Sequence, residues 1–432
     1  MHSGPGLIVP EDAAAPLPER IHSLDLIRGV AVLGILAINI AGFAGPMIGA
    51  ITPRFAPALA APSQLDEAAW AFGFLFFEGK MRALFTLLFG AGLVLFHERC
   101  EAAGRDGDAL QLRRLGWLLL FGLAHYLLLW WGDILFLYAT CGIAALLMRP
   151  LPDRILIWSA LALYYGWHIW GMLDAATAIE AETALRRNVA DPTQLRLLAS
   201  RMEPVHAWAA QELREGALGW LDLLRIKLVE RPFWPVQMVS GAFSETLPLM
   251  LIGMVLYRTG FFAPGTRRPM SRGRVKELAL ACTFAGLVLT ALFLGWAWPR
   301  GFPPVAMQAA IAWGLAMPHV LGGIGYAGLL VLAAPWPGAT WIGRRIVSAG
   351  RMAFSNYVLT SLVMTFIFYG WGLGLFGSVR PAGQWLFVFG GWALMLGWSA
   401  PWLGRFQRGP LEWLWRSLVE HRVLPNLRPR PD

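Results

Sequence analysis

Three polar side chains in the first apolar stretch recur with the period of an α-helix. Asp25, Arg28 and Asn39 are offset by 3 and 14 residues, which places them within an arc of roughly 60° on one helix face. Asp25 can hold Arg28 through an i,i+3 pair and leave the guanidinium to bind an anion such as phosphate. Asn39 lies about 16 Å further along, where its amide can polarise a carbonyl group. The alternatives are a snorkelling Arg28 and an Asn39 that bonds a neighbouring helix.

A histidine and a carboxylate follow in the segment HYLLLWWGDILFLYA. His125 lies inside an apolar run, and histidine is the side chain best suited to take and return a proton near neutral pH. His125 is therefore the candidate general base, although a neutral imidazole bonded inside the bundle fits the pattern too. Asp133 can orient that imidazole, and it is equally well placed as the N-cap of the next helix.

Glu245 is an acidic side chain within an apolar run, three residues before Pro248. The proline loosens the helix and can expose backbone carbonyl groups nearby. Glu245 is either a proton-relay carboxylate or the partner of an Arg or His on another helix. His319, which follows Pro318, is a weaker case of the same kind.

Other ionisable side chains near predicted spans favour structural roles. Lys80 and Arg82, with Glu78, stand at the outer end of the second span, where charge pairing is favoured over a ligand site. His168 has tryptophans close by and is expected at the membrane interface.

Motifs of soluble enzymes are missing from the sequence. It contains no Walker loop, no dinucleotide fingerprint in a βαβ setting, no HExxH and no GxSxG. No cluster of histidines and carboxylates has metal-ligand spacing, so we predict no metal. The three cysteines, Cys100, Cys141 and Cys282, suggest neither a disulfide framework nor a thiolate metal site.

The elements that must position these side chains are transmembrane helices. Of the 432 residues, 57% are hydrophobic and only 15% are charged, too few charges to solvate a soluble protein of this size. Apolar runs of the length needed to cross a hydrocarbon core recur along the chain. We predict an all-α, polytopic helical bundle with about ten spans, at 24–46, 81–98, 113–131, 133–149, 155–173, 234–258, 277–298, 305–334, 352–376 and 384–403.

The distribution of basic residues predicts the orientation. The chain has 36 Lys and Arg against 27 Asp and Glu, a surplus that in a membrane protein marks cytoplasmic loops rather than nucleic-acid binding. We therefore expect a multi-pass protein of the plasma (inner) membrane with both termini in the cytoplasm. The basic residues concentrate in three loops and the tail: Arg99, Arg105, Arg113, Arg114, Arg267, Arg268, Arg272, Arg274, Lys276, Arg344, Arg345 and Arg351, and the region from Arg405.

The spans divide the chain into five regions. They are a cytoplasmic tail at 1–22, a first bundle of about five spans at 23–173, an extracytoplasmic helical segment at 174–233, a second bundle at 234–404 and a cytoplasmic basic tail at 405–432. Within 174–233, the stretch ALGWLDLLRIKLVE has apolar residues at helical spacing and predicts a helix lying on the outer surface. The short apolar segment 66–78 is either an interfacial or re-entrant helix or an extension of the next span.

Six blocks of sequence, in order, resemble the YeiB family of bacterial inner-membrane proteins. They are SLDLIRGVAVLGILAIN, GKMRALFTLLFGAGL, GDILFLYATCGI, PLMLIGMVLYRTGFF, GRMAFSNYVLTSL and GPLEWLWR. The resemblance covers nearly the whole chain, and the last two blocks are typical of the carboxyl-terminal domain of the family. Members have been labelled possible transporters, so the resemblance implies more about fold than about chemistry.

The first span also resembles the transmembrane acyltransferase superfamily, which includes heparan-alpha-glucosaminide N-acetyltransferase. Its members pass an acyl group from cytoplasmic coenzyme A to an acceptor on the far side of the membrane. Arg28 and Asn39 match the first-span arginine and the deep asparagine of the heparan enzyme. The catalytic histidine of that enzyme has no counterpart, because no histidine occurs between His22 and His97. Either His125 has taken its role or the chain does not transfer acyl groups in that way.

Two functions remain in competition, and we favour the first. In an acyltransferase, Asp25, Arg28 and Arg351 bind acyl-coenzyme A, with acetyl-coenzyme A the expected donor. Asn39 polarises the thioester, His125 deprotonates a small-molecule acceptor, and Asp133 or Glu245 orients the histidine or lines the acceptor's route. In a proton-coupled transporter for a small polar or amphiphilic compound, Glu245, His125 and Asp133 form the relay.

The sequence offers less support for the second function, because the two halves show no inverted repeat and no matched pair of broken helices. A scaffold for lipids or partner proteins is a third role. The expected partners are membrane lipids, the acceptor and a second copy in a homodimer, with no nucleic acid.

Overall fold

The computed structural model describes residues 22–54, 61–262, 270–335 and 340–428. Residues 1–21 of the predicted tail, Arg267, Arg268 and the last four residues lie outside the described part. Within it, the chain folds into helices and loops, with one isolated bridge between Phe406 and Leu427 in place of any longer strand. The prediction of an all-α helical bundle is confirmed.

Each of the ten predicted spans overlaps a helix. In the first part of the chain the helices are α1 (His22–Ala44), α2 (Ile48–Ile51), α3 (Gln64–Phe76), α4 (Lys80–Ala102), α5 (Gly107–Leu128), α6 (Leu135–Met148) and α7 (Asp153–Arg186). Next come α8 (Pro192–Gly216) and α9 (Trp220–Arg225), which continues as a π-helical turn at Ile226–Glu230. The remaining helices are α10 (Trp234–Arg258), α11 (Arg272–Ala297), α12 (Pro304–Ala309), α13 (Ala316–Ala333), α14 (Trp341–Arg351), α15 (Ala353–Phe368), α16 (Pro381–Arg405) and α17 (Pro410–Val419).

Several of these helices can cross a bilayer. In the described residues, six helical segments are long and apolar enough, and a seventh is added if α14 and α15, which meet at a bend of 87°, form one span. Helix α6 is apolar but has only 14 residues, fewer than a straight crossing needs. The chain is a membrane protein, while the number of ten spans and the side of each terminus stay predictions.

The segment 66–78 extends the second span. Helix α3 ends at Phe76, the backbone turns at Gly79 with a φ of 66°, and α4 begins at Lys80. Together they form an apolar stretch of 39 residues, Gln64–Ala102. A side chain at position 79 would overlap the ring of His319, so the turn needs glycine both for its φ and for this close approach.

Close helix contacts hold the bundle together. The largest buried cluster joins apolar side chains of α1, α4, α6 and α10, including Leu84, Met250 and Met254. A Cβ atom at Gly90 of α4 would overlap the backbone carbonyl of Met250, and one at Gly253 of α10 would overlap that of Leu87. Small residues therefore bring the α4 and α10 backbones together, as is common in membrane helices.

The predicted helix in ALGWLDLLRIKLVE is present as α9 and its π-helical continuation. One side of this segment is apolar and exposed: Leu221 is 73% accessible and Val229 68%. An exposed apolar face next to basic residues is typical of a helix that lies along a membrane surface.

Candidate functional site

His125 and Asp133 meet at the junction between α5 and α6. The Nδ1 atom of His125 lies 3.0 Å from Oδ1 of Asp133, and the two side chains are only 2% and 4% exposed. The other oxygen of Asp133 accepts a hydrogen bond of 2.8 Å from the backbone nitrogen of Phe136, in the first turn of α6. The N-cap of α6 is Ile134 rather than Asp133. The carboxylate of Asp133 nevertheless bonds the first turn of α6 and contacts the histidine.

Neither imidazole nitrogen of His125 forms a hydrogen bond with the described residues. Nδ1 lies 3.0 Å from Oδ1 of Asp133 without the geometry of a hydrogen bond. A carboxylate at Nδ1 favours the tautomer that carries its proton there. The Nε2 atom is buried and makes no hydrogen bond to any described residue. Its lone pair is thus positioned to accept a proton.

Tyr357 of α15 is a neighbour that the sequence did not assign to this site. Its ring centroid lies 4.9 Å from that of His125. Its hydroxyl lies 3.4 Å from the backbone nitrogen of Ile134 and 3.5 Å from the carbonyl oxygen of Gly132. The tyrosine therefore supports the loop that carries Asp133. The only sequence signal was its place in the block GRMAFSNYVLTSL.

Arginines gather around Arg28 of α1. The predicted pair with Asp25 is present, with Nη1 of Arg28 3.4 Å from Oδ1 of Asp25. Arg114 of α5 and Arg416 of α17 are close enough for their charges to interact, and Arg114 also interacts with Arg28. The guanidinium of Arg114 stacks on the ring of Phe96, 3.9 Å away. We name Arg28, Arg114 and Arg416 the arginine cluster; periodicity alone could not have revealed its members from α5 and α17.

Arg351 is the last residue of α14, and one of its contacts is with the segment that follows α16. Its Nη2 atom donates a hydrogen bond of 3.2 Å to the carbonyl oxygen of Gln407. The preceding Gly350 packs directly on the backbone of Asp25, where a Cβ atom would overlap the carbonyl oxygen. Helix α14 thus places Arg351 at the same end of the bundle as Arg28.

Helix α1 approaches the start of α5 and the loop just after the end of α5. Arg28 interacts with Arg114, and further along, the ring of Phe43 stacks on that of Trp130 with centroids 4.0 Å apart. On α1, Asn39 comes eleven residues after Arg28; on α5, His125 comes eleven residues after Arg114. Eleven residues are three helical turns and about 20°, a rise of about 16 Å.

The shared spacing predicts a similar depth for Asn39 and His125. Asn39 is half-buried, and its amide forms no hydrogen bond with the described residues, His125 included. Each helix therefore carries an arginine at one end and, on the same face three turns later, a polar side chain.

Glu245 belongs to a second polar group. Its Oε1 atom lies 2.9 Å from Nη2 of Arg82 on α4, so of the two predicted roles the partner of an arginine is realised. Glu78 is also within electrostatic reach of Arg82. Lys80 is fully buried, and its Nζ donates a hydrogen bond of 3.1 Å to Thr290. We name Glu78, Lys80, Arg82, Glu245 and His319 the charged cluster.

His319 and His168 have unrelated roles in the sequence-based prediction, and the helix packing brings both towards the charged cluster. The ring of His319 lies against the turn at Gly79, next to Lys80. His168, expected at the membrane interface, is buried, and its Nδ1 lies 2.6 Å from the carbonyl oxygen of Tyr164. Positions 78, 168, 245 and 319 are far apart in the sequence, and only the packing of the helices brings them towards one another. Among the described residues no three His, Cys, Asp or Glu side chains form a group that could hold a metal ion.

A pocket lies next to the segment that joins His125 to Asp133. Its walls come from the end of α5, from α8, from the α9 segment and from the start of α10. We name it the aromatic pocket after Tyr126, Trp131, Trp208 and Trp234. The sequence does not predict this pocket, because the residues that line it range from Tyr126 to Phe376.

Comparison with known proteins gives relatives along almost the whole chain. The family described as protein of unknown function DUF418 matches residues 256–422. The chain is 29% identical over 403 residues to the uncharacterized protein YxaH of Bacillus subtilis (strain 168), covering 92% of this chain and 94% of that protein. It is 29% identical over 421 residues to the uncharacterized protein YeiB of Escherichia coli (strain K12), covering 95% and 98%.

No solved structure matches the chain. The two full-length relatives and the carboxyl-terminal match agree with the six sequence blocks and support the resemblance of the chain to the YeiB family of membrane proteins.

Proposed function

We propose that this protein is a membrane-embedded acyltransferase that moves an acyl group from cytoplasmic acyl-coenzyme A to an acceptor at or across the membrane. One observation carries the proposal: Arg28 of α1 interacts with Arg114 of α5, and eleven residues after each arginine the sequence has a polar side chain, Asn39 or His125. Guanidinium groups at one end and a base at the other match an anionic, elongated donor with a reactive tip.

The arginine cluster supports the donor assignment. The guanidinium groups of Arg28, Arg114 and Arg416 lie close enough to interact, and together they can bind the phosphates of coenzyme A. Arginine binds phosphate through paired, charge-assisted hydrogen bonds. Arg351 stands at the same end and is an additional candidate. From there, the flexible arm of coenzyme A would extend along α1 and α5.

The His125–Asp133 pair supports the chemical step. The Nε2 atom of His125 takes the proton of an acceptor hydroxyl or amine, which attacks the thioester carbonyl carbon. The carbon–sulfur bond then breaks, and the proton passes to the departing thiolate. Asn39, for which the spacing predicts a similar depth, is our candidate to stabilise the oxyanion, and Asp133 stabilises the charged imidazole. The wider resemblance to acyltransferases rests on Arg28 and Asn39.

Binding of acetyl-coenzyme A to the purified protein in nanodiscs, measured by calorimetry, tests the donor site. Loss of one charge-assisted contact costs about 1.5–3 kcal/mol, so Arg28→Ala or Arg114→Ala should weaken binding by about 10-fold or more. Arg105→Ala is the matched control, because Arg105 pairs with Glu420 outside the cluster. His125→Gln should still bind the donor and lose transfer. A folded protein that binds neither acetyl- nor longer acyl-coenzyme A would exclude this function.

The charged cluster favours a second candidate, a proton-coupled transporter for a small polar or amphiphilic compound. Ionisable groups on α4, α10 and α13 lie together within the bundle, which is typical of proton pathways. This function predicts that Glu245→Gln removes the pH dependence of substrate flux in proteoliposomes. Acetyl-coenzyme A binding should be unchanged in that variant, so the two functions give different results.

We also propose an inner-membrane location with both termini in the cytoplasm, and a homodimer as the assembly. Cysteine labelling of single-cysteine variants at Arg105 and Leu221 in intact cells tests the orientation, since only Leu221 should be accessible from outside.

A further inference from the structure

The aromatic pocket shares a wall with the loop that joins His125 to Asp133. Three side chains of the α9 and α10 region donate hydrogen bonds to backbone carbonyl oxygens of that loop. Trp220 bonds Leu128 at 2.8 Å, Lys227 bonds Leu129 at 3.3 Å and Trp234 bonds Trp131 at 3.1 Å. A ligand in the pocket therefore contacts the segment that joins the proposed base to Asp133, through Tyr126, Leu129 and Trp131.

The pocket presents ring faces and balanced charge. The rings of Trp208 and Trp234 are stacked with centroids 5.4 Å apart, and Trp131 meets Trp234 edge-on. Glu215 pairs with Arg231, and burial favours the neutral forms of the other two groups, since it raises the pKa of Glu212 to about 7 and lowers the pKa of Lys227 to about 8. The pocket therefore carries little net charge and favours no strongly charged ligand. Ring faces with several hydrogen-bonding groups suit an uncharged molecule rich in hydroxyl groups.

An exposed apolar strip runs along the same elements. Leu228 is 52% exposed, Val229 68%, Phe233 70% and Val236 55%, although they flank the pocket-lining Lys227 and Trp234 in sequence. In a membrane protein such side chains contact lipid. The pocket consequently opens next to a surface that can hold a hydrocarbon tail.

We propose that the aromatic pocket binds the uncharged, hydroxyl-bearing headgroup of an amphiphile that enters from the surrounding lipid. This amphiphile is the acyl acceptor, an assignment that rests on the proposed function. Its hydroxyl oxygen attacks the thioester carbonyl carbon while His125 takes the proton. The carbon–sulfur bond breaks, the proton passes to the thiolate, and an ester and free coenzyme A are formed. The acceptor thus arrives from the lipid, whereas the donor arrives through the arginine cluster.

Photolabelling of the full-length protein in nanodiscs tests this site without any acyl-coenzyme A. The probe is octyl β-glucoside with a diazirine in its tail, and labelled peptides are mapped by mass spectrometry. We expect saturable labelling at 126–131 or 208–236 that unmodified octyl β-glucoside abolishes. Trp208→Ala should reduce this labelling at least 10-fold, and Trp208→Phe, which keeps an aromatic face, should retain most of it. Trp170→Ala is the control, because Trp170 is exposed on α7 outside the pocket.

Competition identifies the kind of ligand. Free glucose should compete far more weakly than octyl β-glucoside; equal competition would indicate a soluble polyol and overturn the amphiphile. Stronger competition by octyl phosphate or octyltrimethylammonium would overturn the uncharged headgroup. Unsaturable labelling, or labelling unaffected by Trp208→Ala, would overturn the site itself. Since acetyl-coenzyme A binding is measured separately, failure of the donor site leaves this result intact, and the reverse also holds.

Discussion

Glu212 of α8 should make the stability of the folded protein fall as the pH rises. Its side chain is buried in the wall of the aromatic pocket, where Oε2 accepts a hydrogen bond of 3.0 Å from the backbone nitrogen of Met47. Burial raises the pKa of Glu212 from its ordinary value of 4.5 to about 7, against the opposing effect of that hydrogen bond. Above pH 7 the folded state must hold a buried carboxylate that the unfolded state solvates freely.

The sign and size follow from proton linkage. An acid whose pKa is higher in the folded state loses stabilisation as the pH rises from its unfolded value of 4.5 to its folded value of about 7. Each tenfold difference in proton affinity is worth about 1.4 kcal/mol, so the total is about 3 kcal/mol. Glu212→Gln keeps an oxygen to accept the bond from Met47 and removes the ionisation. The variant should therefore match the wild type at about pH 5 and exceed its stability at about pH 8.

Thermal unfolding in nanodiscs, followed at both pH values, measures this difference. Glu203→Gln is the matched control, since Glu203 is exposed on the same helix and should shift both values equally. If the melting temperatures of the wild type and Glu212→Gln change in parallel with pH, burial does not hold a proton on Glu212 and the reasoning is wrong.

Three further outcomes test other parts of the structure. Asp133→Asn keeps an oxygen to bond the first turn of α6 but loses the carboxylate at the imidazole, so transfer measured by thiol release should fall by about 100-fold or more while donor binding stays; unchanged transfer would contradict the base assignment. Gly90→Ala should destabilise the protein by about 1–3 kcal/mol in thermal unfolding, whereas Gly116→Ala, with open space around it, should be neutral or stabilising. Glu245→Leu should lower the thermal stability of the protein, and adding Arg82→Met should restore part of the loss. A double variant that is less stable than Glu245→Leu alone would show that the two side chains do not form a pair.

The sequence predicted contacts within one helix or across one turn well. The Asp25–Arg28 pair follows from a spacing of three residues, and the bond of Asp133 to the first turn of α6 follows from its position before that helix. Glu245 was correctly expected to need a partner, because an unpaired carboxylate in a membrane is costly, but its identity as Arg82 was not predictable. Periodicity fixes the face of a helix on which a residue lies, and it says nothing about which other helix that face meets.

Residues that depend on helix neighbours were therefore missed or given separate roles. Arg114 was treated only as a marker of cytoplasmic loops, yet it lies with Arg28 and Arg416. Tyr357 has no role that the sequence predicts, although its ring lies against that of His125. The segment 66–78 could not be assigned from its length, because the turn at Gly79 that joins it to α4 depends on the packing of His319.

Helix α5 carries one residue of each of the three sites proposed for acyl transfer: the arginine cluster, the base and the aromatic pocket. Arg114 faces the arginine cluster, His125 follows on the same face, and Tyr126, one residue later and about 100° around the helix, lines the aromatic pocket. A donor held at Arg114 and an acceptor held at Tyr126 therefore approach the helix from different sides, and His125 lies between these directions. Adding one residue between Arg114 and His125 would turn the histidine by about 100° while moving it only about 1.5 Å along the axis. The arrangement thus depends more on the rotation of the side chain around the helix axis than on its depth. For this reason, the eleven-residue spacing that separates both Arg114 from His125 and Arg28 from Asn39 supports a common site better than the residue types alone.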